Sequence, residues 1–314
     1  MISIVTPTYK TSKSIIARTI RSVKMQVYND WEMIIVDDNP KGSKWKEINS
    51  MAAANNSDSK IRWIISEDNE GANAARNKGI RNAQGQYLAF LDSDDEWDPE
   101  YLNRVADIFL KKNADIVSSR YRVKNRKGIY YSKRFKREGN LYNQLIYQDV
   151  VGPTSAVAVR KEIIVRAGMF DEKLPARQDY DMWIRMSKLG ASVYYNNEPS
   201  LTIYRIEDSI STRGLNHVRG TEMVLEKLLS DPDLAQKKRK IQYYQYYRCG
   251  NAASRLENHE LAKDYYKKAL VAKFSISVLC RYILSCNPLF YNIAFRANEK
   301  FKLLKSKLKK GVYY

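Results

Sequence analysis

The 314-residue chain predicts an α/β fold, an open and mostly parallel sheet flanked by helices, followed by an α-helical C-terminal extension. Three observations predict it. Short apolar runs alternate with amphipathic stretches through the first ~110 residues, as strand and helix do in turn. Polar, aspartate-rich loops follow those runs, at the carboxyl ends where open α/β sheets bind ligands. Beyond residue 214 the pattern becomes helical and strongly basic.

Ile2-Ser3-Ile4-Val5 reads as a short strand closed by Thr6-Pro7-Thr8-Tyr9. Ile15, Ile16, Ile20 and Val23 then fall on one face of a helix over 14–25. Residues 31–36 form a second buried strand, ending in Asp37-Asp38-Asn39-Pro40. A helix around 45–55, a strand at Ile61–Ile65 and a helix over 71–82 follow. Tyr87-Leu88-Ala89-Phe90-Leu91 is the next strand, and Asp92-Ser93-Asp94-Asp95-Glu96-Trp97 sits at its end. The loops at 6–9, 37–39 and 92–95 therefore meet in one crevice.

Residues 114–212 are mixed. A strand at 116–119 precedes a basic loop or hairpin over 124–137. A strand over 152–159 leads into a short helix over 160–168, and Gln178 opens another helix. Short strands at 193–195 and 201–204 close the region. Stretches 246–253 and 261–270 resemble one tetratricopeptide-type hairpin, with small residues where two helices cross. One such unit is too few for a free-standing array, so it reads as a helical cap docked on the main domain. Residues 299–310 carry six lysines interleaved with Phe301, Leu303, Leu304 and Leu308. The organisation is thus a domain over 1–214, in halves 1–112 and 113–214, and a helical region over 215–314 with a basic amphipathic tail.

The net charge is +19, unevenly placed. Residues 215–314 hold 20 Lys and Arg against 8 Asp and Glu, a net of +12; residues 1–214 hold 34 against 27, a net of +7. Such a balance suits nucleic acid, an anionic membrane surface or phosphate-bearing substrates. Cys249, Cys280 and Cys286 have neither metal-ligand nor disulfide-framework spacing. With no secretory signal and no run of about 18 apolar residues, the expected location is the cytoplasm.

The acidic turn carries the chemistry. Like charges this close repel, and their desolvation is costly unless a cation or hydrogen-bond donors face them. A divalent metal holding a phosphate-bearing ligand is one reason to build such a cluster. The other is Asp94 capping a helix whose first turn holds Pro99 and Glu100, with Glu96 a helix-start charge.

Five motifs in order, Ile4-Val5-Thr6-Pro7-Thr8-Tyr9, Ile35-Val36-Asp37-Asp38, Asn69-Glu70-Gly71 with Ala75-Arg76-Asn77-Lys78-Gly79, Phe90-Leu91-Asp92-Ser93-Asp94-Asp95, and Gln178-Asp179-Tyr180-Asp181-Met182-Trp183, resemble those of family 2 glycosyltransferases over roughly 2–212. The resemblance implies the Rossmann-like GT-A fold and an inverting, metal-dependent hexosyl transfer from a UDP-sugar, galactose or glucose. It implies that Asp94 binds Mn or Mg and that Asp92 reaches the ribose or the metal's water, with Ser93 among the nucleotide-sugar contacts. Asp38 matches the aspartate that accepts the uracil N3–H, and Arg76 the arginine near the nucleotide. Thr6, Pro7 and Tyr9 would wall the base, and Asp179 would be the catalytic base. Glu207 stands where many relatives carry histidine, after Tyr204-Arg205 and before Ser209 and Ser211, which puts a ligand from that segment in doubt.

The expected acceptor is a lipid-linked saccharide of capsule or O-antigen type. The tail would bind the anionic inner leaflet peripherally. Against a nucleic-acid-binding protein stand the concentration of charge in the tail and the absence of a recognition motif. Intact Asp92, Asp94 and Asp179 argue against a non-catalytic nucleotide-sugar binder. Thr8 to Ser14 contains no glycine, against the phosphate loop of a nucleotidyltransferase.

Overall fold

The computed structural model describes residues 1–126, 128–205 and 210–286, the side chains of 210–213 excepted. In chain order the first half holds β1 (Ile2–Thr8), α1 (Lys13–Lys24), β2 (Trp31–Asp37), α2 (Lys44–Ala54), β3 (Ile61–Ile65), α3 (Ala72–Asn82), β4 (Tyr87–Phe90), β5 (Glu96–Trp97) and α4 (Tyr101–Lys112). Then come β6 (Ile116–Ser119), β7 (Arg122–Asn125), β8 (Gly128–Tyr131), β9 (Gly139–Asn140), α5 (Tyr142–Leu145), β10 (Val157–Arg160), α6 (Lys161–Arg166), α7 (Gln178–Lys188), β11 (Ser192–Asn196) and β12 (Leu201–Tyr204).

Among the described residues an eight-stranded sheet runs β3-β2-β1-β4-β10-β6-β11-β9, and a four-stranded sheet runs β5-β12-β7-β8. β1 pairs in parallel with β2 and β4, and β2 with β3, while β10 enters antiparallel between β4 and β6. The chain moves outward from β1 to β3 and returns to β4 on the other side of β1. The strand order therefore reverses between β1 and β4, which opens a crevice at their carboxyl ends.

Both faces of these strands are covered, which is why their sequences read as continuous apolar runs. Ile2, Ile4, Met33, Ile35 and Ala89 form one core cluster with Ile16 and Val23 of α1 and Val105 and Phe109 of α4. α3 covers the other face of β1. It lies so close that a Cβ on Gly79 would stand 2.4 Å from Val5 Cγ1.

Three sequence expectations need correction. Thr6, Pro7 and Thr8 belong to β1 rather than to a loop, because pairing with β2 continues to Thr8 opposite Asp37. Pairing with β4 stops at Val5, so Pro7 has a strand neighbour on one side only, where a missing N–H is tolerated. Asp94 does not cap a helix: α4 begins at Tyr101 after Glu100. Glu96 lies in β5, opposite Thr202 of β12, and accepts the Tyr204 hydroxyl at 2.7 Å. Of the two readings of the basic stretch over 124–137, the hairpin is the one found, β7 against β8.

The chain divides into two compact units. One holds Met1–Leu145, Asp149–Lys173 and Gln178–Ile206; the other holds Ile146–Gln148, Leu174–Arg177 and the chain from Glu207. The second unit contains α8 (Ile210–Ser230), a 3-10 turn at Pro232–Lys237, α9 (Lys238–Arg255), α10 (His259–Ala272) and α11 (Ile276–Ser285). α9 and α10 form the expected hairpin around small residues. A Cβ on Gly250 would meet Tyr266 Cε1 at 2.6 Å, and Ala262 and Ala269 are fully buried. The lysine-rich tail, Glu207 and Ser209 lie outside the described residues, as does the Ser211 side chain. No helix among the described residues is long and apolar enough to cross a membrane.

One buried carboxylate ties the first three strands together. Glu32 accepts Ser3 Oγ at 2.6 Å, Gln84 N–H at 2.6 Å and Arg62 Nη2 at 2.7 Å. Burial pushes its pKa up, but these donors more than offset that and hold it below the ordinary 4.5. A depressed carboxylate contributes stability above its unfolded pKa and loses it as pH falls through the folded one. Urea-unfolding free energy is therefore expected to fall as pH drops below 4.5, and Glu32→Gln to flatten that limb. A variant as acid-sensitive as the wild type would contradict the assignment.

Candidate active site

The crevice between β1 and β4 is built first from the loop after β2. Asp37, wholly buried, accepts the Asn39 backbone N–H at 3.0 Å and its amide at 2.6 Å, and Asn39 Oδ1 accepts Lys10 N–H at 2.8 Å. These bonds fasten the ends of β1 and β2 together. Asp38 faces the opening. Its Oδ2 accepts Asn69 Nδ2 at 2.8 Å and Gly71 N–H at 2.9 Å, and its Oδ1 accepts Glu70 N–H at 2.8 Å. Gly71, at φ 94°, makes the turn that delivers both backbone donors and opens α3. Burial still leaves the Asp38 pKa above 3.8, since desolvation outweighs the backbone donors and Glu70 adds a like charge.

α3 brings Arg76 to the wall of the same crevice. Asn77 holds the helix by donating to Phe170 O at 2.8 Å and Glu172 Oε1 at 2.8 Å and accepting Phe170 N–H at 2.9 Å. Asn73 donates to Asp171 O at 2.9 Å. Phe170 meets Phe90 of β4 edge-on at 5.4 Å, and the Arg76 guanidinium lies 5.7 Å from the Phe170 ring. Arg76 is 4% exposed and donates from Nη2 to Asp92 Oδ1 at 2.6 Å. Its Nε and Nη1 are buried and have no hydrogen-bond partner among the described residues. Buried donors of this kind are rarely left unmade.

The acidic turn is stapled from beneath. Thr19 of α1 donates to Ser93 O at 2.9 Å and Asp95 O at 2.8 Å, and Arg18 donates to Asp94 O at 2.6 Å while stacking 3.8 Å from the Tyr204 ring. Ser93 Oγ meets Thr11 Oγ1 at 2.8 Å, and Asp92 N–H donates to Ser155 Oγ at 3.0 Å. Asp95 points inward, where its Oδ1 accepts Tyr204 N–H at 3.1 Å. Burial, with the charges of Asp92 and Asp94, pushes the Asp95 pKa up to about 8. The outward carboxylates are Asp92, partly exposed, and Asp94, exposed.

A cleft of about 210 Å³ is lined together by Pro7, Tyr9, Asp38, Arg76, Asp92, Ser93 and Asp94. Thr6 does not line it; it is fully buried within β1. Thr8, Thr11 and Ala72 line it and were not anticipated. Thr8 was within reach of strand alternation, being two residues past Thr6 at the strand's end. Nothing local marks Thr11, whose role comes from its bond to Ser93. Asp179 is not on this wall. It stands at the start of α7, where its Oδ1 accepts Tyr180 N–H at 2.7 Å. It shares a charged neighbourhood with Tyr121, Asp149 and Arg205: burial raises the Tyr121 pKa, both carboxylates add to that, and Arg205 opposes it. Asp181 is structural, held by Arg185 at 2.8 Å.

Among the described residues no group of three or more His, Cys, Asp or Glu side chains converges on a point. The described residues build no closed cage. One or two carboxylates completed by phosphate oxygens and water is how magnesium-type ions are usually held on nucleotides, and Asp94 with Asp92 fits that set.

A sheet reversing at β1, with a cleft and an acidic turn at its open end, is the arrangement of the GT-A fold. The solved structure of TarS 1–349 from S. aureus in complex with UDP-GlcNAc superposes with a TM-score of 0.63 at 19% identity, covering 100% of this chain and 93% of that one. The family model for glycosyl transferase family 2 matches residues 3–172, and the chain belongs to that family. The putative colanic acid biosynthesis glycosyl transferase WcaA of Escherichia coli K12 is 31% identical over 230 residues, 69% of this chain and 73% of that protein. The putative teichuronic acid biosynthesis glycosyltransferase TuaG of Bacillus subtilis is 28% identical over 232 residues, 73% and 88%. The E. coli UDP-Glc:alpha-D-GlcNAc-diphosphoundecaprenol beta-1,3-glucosyltransferase WfgD is 27% identical over 233 residues, 74% and 88%.

Asn77→Ala would orphan the Phe170 N–H and C=O while removing nothing from the cleft itself. Each buried group left unsatisfied costs about 1–3 kcal/mol, so unfolding free energy is expected to drop by about 2 kcal/mol or more. An unchanged urea midpoint would mean that α3 is fixed by something else.

Proposed function

We propose that the chain is an inverting, metal-dependent hexosyltransferase that moves galactose or glucose from a UDP-sugar onto a lipid-linked saccharide during bacterial cell-surface polysaccharide synthesis of capsule or O-antigen type. The observation that carries the reading is a buried Arg76 with two unpartnered nitrogens on the wall shared by Asp38, Asp92 and Asp94. A diphosphate supplies the acceptors those nitrogens lack. The names of TuaG, WcaA and WfgD support the polysaccharide context, and that of WfgD supports both UDP-glucose and the lipid-linked acceptor.

Each residue then has a task. Asp38 has three of its roughly four acceptor sites filled, two on Oδ2 and one on Oδ1. The remaining Oδ1 site can take one imide N–H, which selects uracil. Tyr9, 45% exposed beside Pro7, offers a ring face to the base. Asp94 and Asp92 would hold Mn or Mg, which neutralises charge on the departing diphosphate. Arg76, held in place by Asp92 and by α3, donates to phosphate oxygens. Asp179 takes the proton of the acceptor hydroxyl as that oxygen attacks the anomeric carbon opposite the leaving group. Residues 297–314 are assigned to the anionic cytoplasmic face of the membrane, on their interleaved lysines and apolar residues.

The decisive separation is between binding and transfer. Asp179→Asn is expected to lower transfer to a lipid-linked acceptor by about 10²–10⁴-fold, the usual contribution of a general base, with UDP affinity unchanged. Asp94→Asn is expected to lower both transfer and the metal-dependent part of UDP binding. Full transfer by Asp179→Asn would remove it as the base.

A further inference from the structure

The helical unit holds a second cleft, of about 290 Å³. One wall is α9, whose Tyr243, Tyr244, Tyr247, Arg248 and Arg255 line it, and α8 contributes His217. Tyr243 and Tyr247 stand one helical turn apart with their rings 6° from parallel at 6.4 Å, and Tyr244 packs 5.1 Å from Tyr243. Among the described residues no carboxylate lines the cleft, and Ala252 is its only aliphatic side chain. His217 is pressed among Arg177, Arg248 and Arg255; burial first, and then those charges, lower its pKa to about 4. It is therefore neutral at physiological pH, and its Nδ1 is buried without a hydrogen-bond partner.

These features select a ligand chemistry. Flat, half-buried phenol rings with hydroxyl edges suit the CH faces and hydroxyls of a pyranose. The exposed Arg255 guanidinium, and that of Arg248, which also donates to Tyr147 O at 3.3 Å, suit a carboxylate or phosphate, which guanidiniums bind in bidentate fashion. A peptide would want apolar sockets, and the cleft has none beyond Ala252. We propose that this cleft is a saccharide subsite for a sugar unit bearing an anionic group, held between the tyrosines of α9 and the guanidiniums of Arg248 and Arg255. Its use as an anchor for the growing acceptor rests on the transferase reading above; its binding chemistry does not.

The full chain has two histidines, His217 and His259, so imidazole signals in a histidine-labelled sample give a local readout with its own reference. A hyaluronan tetrasaccharide, for the carboxylate, and glucose 1-phosphate, for the phosphate, are titrated separately, with cellotetraose as the neutral control. The expected result is a shift of the His217 signals with at least one anionic probe and not with cellotetraose, His259 staying fixed. Arg255 is exposed, so Arg255→Gln is expected to leave the fold intact and to weaken that probe about tenfold, the loss of one charge-assisted hydrogen bond. Tyr244→Ala is expected to weaken it as well. Which probe binds identifies the carboxylate or the phosphate as the group recognised. Cellotetraose binding as well as the charged sugars, no His217 shift with any probe, or affinity untouched by both substitutions would each overturn the proposal. UDP affinity, followed in the same samples, reports on the other cleft, so failure here with UDP binding intact leaves the donor site standing.

Discussion

The ion pair between Arg76 and Asp92 imposes the strictest constraint on the nucleotide half of the molecule. A buried guanidinium with one carboxylate partner and two unmet nitrogens is unfavourable on its own terms. It persists because α3 is fastened on several sides. Asn73 and Asn77 fasten the helix to the loop at 170–172, Phe170 wedges between Phe90 and the guanidinium, and Gly79 lets the helix lie against Val5. The motif Ala75-Arg76-Asn77-Lys78-Gly79 thus holds one reactive side chain and three means of fixing it. Lys78 completes the set by bridging Ser66 and Glu70, the residue whose N–H serves Asp38.

The acidic turn divides its labour in the same way. Asp95 is turned inward, and Thr19, Arg18 and Thr11 clamp the backbone and Ser93, so that Asp92 and Asp94 are presented outward from a rigid turn. Burial first, and then the charges of Asp92 and Asp94, raise the Asp95 pKa. Structure thereby stores at this turn a preference for positive charge, and Arg76 supplies only part of it.

Much of this was legible in the sequence, for identifiable reasons. Strands buried on both faces are continuous apolar runs, so β1 to β4 stood out, and their carboxyl ends placed Asp38 and the acidic turn in one crevice, while Arg76 came from the resemblance of its motif to the family. What failed was whatever depends on pairing partners far along the chain. Thr6 to Thr8 are strand because β2 continues beside them, and Glu96 is strand because β12 arrives from residue 201. Thr11 enters the site through Ser93. The tyrosine-rich helices read correctly as a hairpin, since Gly250, Ala262 and Ala269 mark the crossing. The cleft lined by α9 was invisible, because no local pattern shows which face of α9 would stay open.

The central claim is that Arg76 and the acidic turn wait for a diphosphate. Titration calorimetry of UDP with Mn into the wild type and into Arg76→Met, which keeps the length and removes the donors, tests it directly. Charge-assisted hydrogen bonds are worth about 1.5–3 kcal/mol each, so the account expects affinity to fall by about 10–100-fold or more while uridine binds almost as before. Equal UDP affinity in the two proteins would contradict it.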